Sequence, residues 1–192
     1  VYPAELFIPY EASENEDTAA IYGEYIDEND NAQIIKESRY DPERKGIVIL
    51  APHFSKYGIS YKPALFSDVP QTHWARGSIT FLASREIIKG TGNGKYEPDR
   101  KILKVEFIEL MTKAFSVVAV GGKAVKSYKD VKIDAWYAKS VGWSYMNNIS
   151  NPIANKDGNL GVKDFIKRED MAVLMYNMTI GVGFDLRDTN RD

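Results

Sequence analysis

The feature that most constrains this chain is a sequence pattern that occurs twice, with its first acidic residues, Asp68 and Asp130, 62 positions apart. The first copy opens with Phe66-Ser-Asp68-Val69 and places a tryptophan six residues after the aspartate, at Trp74. The second opens with Tyr128-Lys-Asp130-Val131 and places Trp136 at the same distance. Internal similarity at such a period is the mark of a repeat architecture, in which each copy is one structural unit. Thirteen residues beyond each tryptophan stands an isoleucine, at Ile87 and Ile149.

Each copy predicts two helices joined by a loop. Apolar residues recur at spacings of three and four, which is the signature of a helix with one buried face. Between the helices of the first copy, residues 90–98 contain three glycines and a proline, which break a helix. A short helical hairpin buries too little apolar surface alone, so we expect the copies to pack on each other. The predicted helices are 70–89 with 102–116, and 134–149 with 165–178.

The first 62 residues have a different pattern. Short β-prone runs separated by turn-forming residues indicate strands at 20–26, 32–36, 46–51 and 53–59. Residues 1–18 carry two prolines and five acidic side chains, so we expect part of them to be irregular. The pattern resembles the last β-meander of an extracellular β-domain. An isolated meander is marginally stable unless it packs on something else.

Composition excludes several classes of function. The formal net charge of −2 gives no excess of Lys and Arg for nucleic acid. No apolar run reaches the length that crosses a bilayer, so membrane insertion is not expected. Cysteine is absent, and the two histidines, His53 and His73, lie outside any metal-ligand spacing. We therefore predict no metal, no cofactor and no catalytic residue.

The first copy is similar to the S-layer homology (SLH) domain family over about 50 residues. The second copy shares fewer of the motifs, and together the two copies cover residues 64–180. In the first copy the matching motifs are Phe66-Ser-Asp68-Val69, His73-Trp74-Ala75, Ile87-Ile88-Lys89-Gly90, Gly92-Asn93-Gly94-Lys95-Tyr96-Glu97-Pro98 and Ile102-Leu103-Lys104-Val105-Glu106-Phe107; in the second they are Asp130-Val131, Trp136 and Ile166-Lys167-Arg168-Glu169-Asp170-Met171.

The N-terminal strand pattern and the SLH resemblance together predict an α+β chain in which an N-terminal β-meander remnant precedes an all-α module of two helix-loop-helix repeats. The predicted boundaries are a β-rich segment at 1–62, repeats at 63–120 and 121–180, and a truncated tail at 181–192. Members of the family usually carry three repeats. We therefore expect either a missing third repeat or a homo-oligomer that covers the apolar face left exposed.

The resemblance also implies binding rather than catalysis. In the family, grooves between repeats bind secondary cell-wall polysaccharide that often carries pyruvate ketals. A basic residue near the start of the second helix contacts the acidic sugar, helped by the early aspartate and by a glycine of the inter-helix turn. A guanidinium suits this task because it grips a carboxylate through two parallel hydrogen bonds. Carried over to this chain, the glycan-binding residues are Asp68, Gly90, Lys104, Glu106, Asp130, Arg168 and Asp170.

Two of these positions depart from the family pattern. Lys104 stands where the family has arginine, and it supplies charge without the planar fork of a guanidinium. Pro152 occupies the register of Gly90 in the second copy. The second copy keeps the arginine, at Arg168.

Each residue also has a purely structural interpretation. The helical pattern favours Trp74 and Trp136 as core anchors over sugar platforms. Asp68 and Asp130 either cap the first helices or contact ligand. Lys104 and Arg168 either bind ligand or form ion pairs with Glu106 or Asp170.

The sequence therefore predicts a non-catalytic module that anchors a secreted protein to the cell wall or S-layer of a Gram-positive-type bacterium. Its predicted partner is an acidic cell-wall polysaccharide. Two alternatives stay open: a structural or oligomerising module whose glycan sites have degenerated, and a fragment of a secreted carbohydrate-active enzyme.

Overall fold

The computed structural model describes residues 4–51, 55–117 and 127–181. The chain divides into two compact units, Val1–Pro98 and Asp99–Asp192. In the described residues the strands are β1 (Ala4–Pro9), β2 (Ile21–Ile26), β3 (Ala32–Ile35), β4 (Arg39–Asp41), β5 (Gly46–Ala51) and β6 (Lys56–Tyr61), and the α-helices are α1 (Arg76–Ser84), α2 (Lys104–Ala114), α3 (Ala138–Met146) and α4 (Arg168–Gly181).

The first unit contains two three-stranded antiparallel sheets. Their strand orders are β1-β5-β4 and β3-β2-β6. In each sheet one neighbouring pair is consecutive along the chain, and the other pair, β1 with β5 or β2 with β6, is not. The sheets share a core of Ile21, Ile47 and Ile49, each fully buried. Gly23 allows β2 to approach β5, because a Cβ at this position would collide with the side chain of Ile49. β5 is buried over most of its length, which explains why it reads as a continuous apolar run.

Helix α1 belongs to the same unit and packs against the 3-10 turn at Thr18–Ala20, which leads into β2. Its buried residues include Ile79 and Ser84. The helix ends where Glu86 takes a positive φ of 58°. The unit that contains the sheets therefore also contains the first helix of the first sequence copy.

The second unit is helical. Helix α2 packs against both α3 and α4. A single apolar core joins the three helices and the loops between them. Its buried members are Val105, Ile108, Met111, Tyr128, Val141, Ile149, Leu160, Leu174 and Met178.

The predicted fold class is wrong in its organisation, although the chain is α+β overall. The N-terminal part is not a meander remnant: it has two sheets and its own buried core. Nor does an all-α module follow it, because α1 lies in the unit that contains the sheets while α2 lies in the other unit. The predicted first helical pair is thus divided. The physical reason is that the apolar face of α1 is buried within the β-containing unit.

The predicted strands at 20–26, 32–36 and 46–51 correspond to β2, β3 and β5. β1 was missed, because prolines and acidic residues indicated irregular chain in the region where it forms. β4 was missed because it is only three residues long and adjoins a turn. The predicted strand at 53–59 corresponds in part to β6, and its first two residues lie outside the described residues. The predicted tail at 181–192, apart from Gly181, and the boundary at 120/121 also lie outside them.

The repeat itself is visible in the hydrogen bonds that end the first helix of each copy. The amide of Ile87 donates to the carbonyl of Leu82 at 3.0 Å, and the amide of Ile149 donates to the carbonyl of Ser144 at 2.8 Å. The residue before each isoleucine has a positive φ, 58° at Glu86 and 56° at Asn148. This is the left-handed helix ending that glycine normally supplies.

Candidate functional site

Asp68 and Asp130 close the loop between the two helices of their own copy. The carboxylate of Asp68 accepts hydrogen bonds from the amides of Tyr96 at 2.9 Å and Glu97 at 2.7 Å. Asp130 accepts from three amides, those of Leu160 at 2.9 Å, Gly161 at 2.8 Å and Val162 at 3.0 Å. The two aspartates therefore have the same structural role in the two copies.

These bonds alter the acidity of both aspartates. The amide of Tyr96 is the main reason why the pKa of Asp68 is lowered. Burial raises the pKa of Asp130, but its three amide donors outweigh burial, so that the pKa is lowered overall. Neither aspartate caps the helix that follows it, because the N-cap residues of α1 and α3 are Ala75 and Tyr137 and neither helix has a side-chain cap. The capping interpretation is therefore wrong, and a contact with glycan stays a prediction.

Gly90 lies against the ring of Phe66 and the carbonyl of Lys95. A Cβ at this position would overlap both groups. The glycine is therefore required by the packing of the loop, whether or not a ligand approaches it. Pro152, at the equivalent register, lies in a short 3-10 turn at Asn151–Ile153.

Lys104 is withdrawn from solvent. Its ammonium contacts the carbonyl of Ile153 at 3.3 Å and the Oδ2 atom of Asp170 at 3.5 Å. Both charged side chains are only 13% exposed. Within the described parts of the chain, Asp170 Oδ2 receives no hydrogen bond, so that its compensation is electrostatic. The predicted site residues Lys104 and Asp170 are thus brought together, as an ion pair with each other.

Glu106 stabilises the beginning of α2. Its carboxylate accepts a hydrogen bond from the amide of Leu103 at 2.8 Å and pairs with the guanidinium of Arg100 at 2.7 Å. Burial raises the pKa of Glu106, and the contacts with Arg100 and Leu103 more than reverse this. Its contacts are with Arg100 and not with Lys104.

Arg168 differs from Lys104, although the two occupy matching positions in the copies. It is the first residue of α4 and is exposed. No hydrogen bond or ion pair joins its guanidinium to any residue that the structure describes. Asp170, the partner considered from the sequence, contacts Lys104 instead. The guanidinium of Arg168 is therefore exposed and has no partner among the described residues.

The tryptophans are not core anchors, and that prediction is wrong. Trp74 is 93% exposed and Trp136 is 62% exposed. Each lies just before its helix, so the helical pattern does not place it on the buried face. Trp74 stacks with His73 at 6.0 Å between ring centroids, and Trp136 meets Tyr137 edge to face at 5.2 Å. Both indoles are thus surface features and are available to stack on a sugar ring.

Sequence reasoning missed a buried hydroxyl network in the second unit. The hydroxyl of Tyr128 contacts Ser150 Oγ at 2.8 Å and donates to Asn151 Oδ1 at 2.9 Å. Ser150 in turn contacts Ser144 Oγ at 2.7 Å. Burial raises the pKa of Tyr128 to about 12, so the phenol stays protonated. Its position at the aromatic start of the second copy gave the only signal.

Residues 65–108 and 127–172 match the S-layer homology domain. The chain therefore carries two tandem SLH repeats, in the part that contains both aspartate-closed loops and all the predicted site residues. Among the described residues, no helix combines the length and apolarity that crossing a membrane requires.

Several relatives share this region. An amylopullulanase of Thermoanaerobacterium thermosulfurigenes is 26% identical over 174 residues, which is 90% of this chain and 9% of that protein. The exoglucanase XynX of Acetivibrio thermocellus is 31% identical over 126 residues, 63% of this chain and 11% of that protein. The S-layer protein EA1 of Bacillus anthracis is 36% identical over 76 residues, 40% of this chain and 9% of that protein. The chain thus spans only 9–11% of the length of these relatives.

Proposed function

We propose that this chain anchors a secreted protein to a bacterial cell wall by binding an acidic wall polysaccharide without covalent attachment. The observation that carries the proposal is the exposed guanidinium of Arg168, which has no partner among the described residues and stands where the SLH family places its basic contact residue. A guanidinium left free at a surface is suited to a carboxylate, such as that of a pyruvate ketal.

The exposed tryptophans support a carbohydrate ligand. Trp74 is 93% exposed and Trp136 is 62% exposed, so both apolar rings are accessible to a ligand. When a sugar ring stacks on an indole, the apolar face of the indole is buried. Trp136 lies in the same compact unit as Arg168, so that unit holds both an exposed indole and an exposed cation.

Lys104 and Arg168 occupy matching positions in the two repeats but differ in their contacts, and this difference limits the number of glycan sites that are open. Lys104 is nearly buried and is paired with Asp170, so its charge is already compensated within the protein. We infer that the basic position of the first repeat is closed and that Arg168 provides the open one. This keeps part of the alternative hypothesis, that one of the glycan sites has degenerated.

The relatives support a location at the cell surface. They include proteins named as S-layer and cell-surface proteins. Others are named as enzymes, and this chain matches only a small share of their length. We therefore assign anchoring to this chain, and any catalysis in the whole protein to parts outside it.

Self-association is a separate proposal. Helix α4 exposes three large apolar side chains, Met175, Tyr176 and Ile180, each more than half exposed. A third repeat or a second copy of the chain would cover such a face. Sedimentation at increasing protein concentration tests the second possibility, and a monomer at all concentrations would contradict it.

The direct test of anchoring is co-sedimentation with purified sacculi. We expect the chain to pellet with sacculi that retain their wall polysaccharide and to stay in solution with sacculi from which it has been extracted. Equal binding to both preparations would contradict the proposal. Competition with soluble pyruvate-ketal sugar then identifies the acidic group.

A further inference from the structure

The guanidinium of Arg85 is completely buried in the first unit, between helix α1 and the β-sheets. It lies immediately after the last residue of α1. A fully buried arginine is rare, because removing the charge from water is costly unless the group is hydrogen-bonded. The groups that contact Arg85 therefore indicate its structural role.

Arg85 donates to three carbonyls of the β-containing region. Its Nη1 atom donates to Ala19 O at 3.0 Å, and its Nη2 atom donates to Ile21 O and Ser38 O, both at 2.9 Å. These carbonyls belong to the turn before β2, to β2 itself and to the segment before β4. One side chain thus joins two separate stretches of the β-containing region, the turn that runs into β2 and the segment before β4.

Arg85 also contacts the Tyr22 ring of β2, at 5.8 Å from the centroid, and residues of its own helix. Nη1 also donates to Phe81 O at 3.1 Å, and the guanidinium stacks on the Phe81 ring at 3.5 Å from the centroid. No carboxylate contacts Arg85 in the described segments, so carbonyl dipoles and an aromatic face stabilise the charge. Burial lowers the pKa of Arg85 to about 10, which still leaves it charged at neutral pH.

The second repeat shows that this arrangement is not a property of the repeat. Asn147 follows α3 as Arg85 follows α1, and it is exposed. Its side chain donates to Trp143 O, one turn back on its own helix, at 2.8 Å, and to no other residue that the structure describes. Arg85 therefore serves the junction with the sheets.

A second contact ties the same helix end to the β-containing region. The ammonium of Lys62, directly after β6, pairs with Glu86 at 2.8 Å. The amide of Lys62 donates to Ala20 O at 3.2 Å. The end of α1 is thus held from two directions.

We propose that Arg85 couples helix α1 to the two sheets in one cooperative folding unit, so that the first helix of the first SLH repeat depends on the β-containing region for its structure. The β-containing region is then an integral part of the anchor. The amylopullulanase similarity agrees with this, because it covers 90% of the chain and so extends well before the repeats.

Hydrogen exchange of the full chain, read by mass spectrometry, tests the coupling. In Arg85→Met we expect amides of α1, β2 and β4 to exchange faster together, by about tenfold or more, because three carbonyls lose their donors. Amides of α2, α3 and α4 should keep their rates. Faster exchange confined to α1, or no change in β2 and β4, would overturn the proposal.

Two further variants sharpen the experiment. Arg76→Met removes an arginine of the same helix whose guanidinium bonds Val69 O within the repeat, so β2 and β4 should be unaffected. Arg85→Lys keeps the charge but has one ammonium in place of the fork, and we expect an intermediate acceleration. If Arg85→Met unfolds the first unit, the Arg85→Lys result decides: joint acceleration of α1, β2 and β4 supports coupling, and α1 alone contradicts it.

Discussion

The ammonium of Lys104 lies 3.5 Å from Asp170 Oδ2, and both side chains are 13% exposed. The pair joins the start of α2 to the first turn of α4 within the second unit. Neutralising one member of a buried ion pair lowers the stability of the protein more than replacing both members by apolar residues, because the remaining charge stays unpaired.

We therefore expect Asp170→Asn to lower the free energy of unfolding by about 3 kcal/mol. The double variant Lys104→Met, Asp170→Leu should lose much less, because neither charge remains. Urea unfolding of the single and double variants measures both effects. A double variant that is less stable than Asp170→Asn would show that the pair is not the source of the loss.

Arg168→Ala should weaken sacculus binding by about 1.5–3 kcal/mol, the scale of a charge-assisted hydrogen bond. Arg168→Lys should recover only part of the affinity, because the bidentate geometry is lost. Stability should hardly change, since the guanidinium is exposed and unpaired among the described residues. The matched control is Lys167→Ala, which removes the same charge from the neighbouring exposed residue. Equal loss in both variants would indicate a general charge effect.

Trp136→Ala should reduce affinity for wall polysaccharide by about 1 kcal/mol, the scale of an aromatic stacking contact. Tyr176→Ala is the matched control, because both rings are 62% exposed and both belong to the second unit. Melting temperatures of the two variants should stay close to that of the parent. If Trp136→Ala binds as well as Tyr176→Ala, the indole is not a sugar platform.

Glu97 and Gly161 occupy equivalent places in the inter-helix loop of each copy, with φ of 58° and 84°. A residue with a side chain is disfavoured there by about 1–2 kcal/mol. Gly161→Ala should therefore destabilise the protein by about that amount, and the exposed carboxylate of Asp164 must move away from the new Cβ. Glu97→Gly should be neutral or stabilising, whereas Glu97→Ala retains the strained backbone. Calorimetry ranks the three variants, and a stable Gly161→Ala would contradict the assignment.

Because the pKa of Asp130 is lowered, we expect the stability of the protein to depend on pH. A carboxylate whose pKa is lower in the folded than in the unfolded state stabilises the protein above the unfolded pKa, about 3.9 for aspartate. This contribution disappears as the pH falls through the lower, folded value. Asp130→Asn should therefore destabilise the protein at pH 7 and have a smaller effect near pH 3. Urea unfolding at both values checks this, and an equal loss at both would exclude the charge as the cause.

The sequence predicted positions better than roles. Asp68 and Asp130 were found because the repeat aligns them, but their amide partners lie about 30 residues away, across a loop that spacing does not describe. The tryptophans were misassigned because a large apolar residue at a fixed place in a helical repeat resembles a core position. Arg85 gave no signal at all, since an arginine near the end of a helix normally indicates a solvated surface.

The prediction of a separate all-α module failed for a related reason. Periodicity shows that α1 has an apolar face, but it does not identify the element that covers that face. Helices α1 and α2 were paired because they are adjacent in sequence. In the structure they lie in different compact units.

The division between Pro98 and Asp99 falls inside the first repeat, half a repeat out of phase with the sequence motif. We therefore expect chimeras of this chain with other SLH proteins to be sensitive to where the chains are joined. A crossover at a motif boundary such as residue 63 separates α1 from the sheets that hold it. A crossover in the loop at Pro98 transfers each compact unit whole. Recombinants made at the loop should express in folded form more often than those made at the motif boundary.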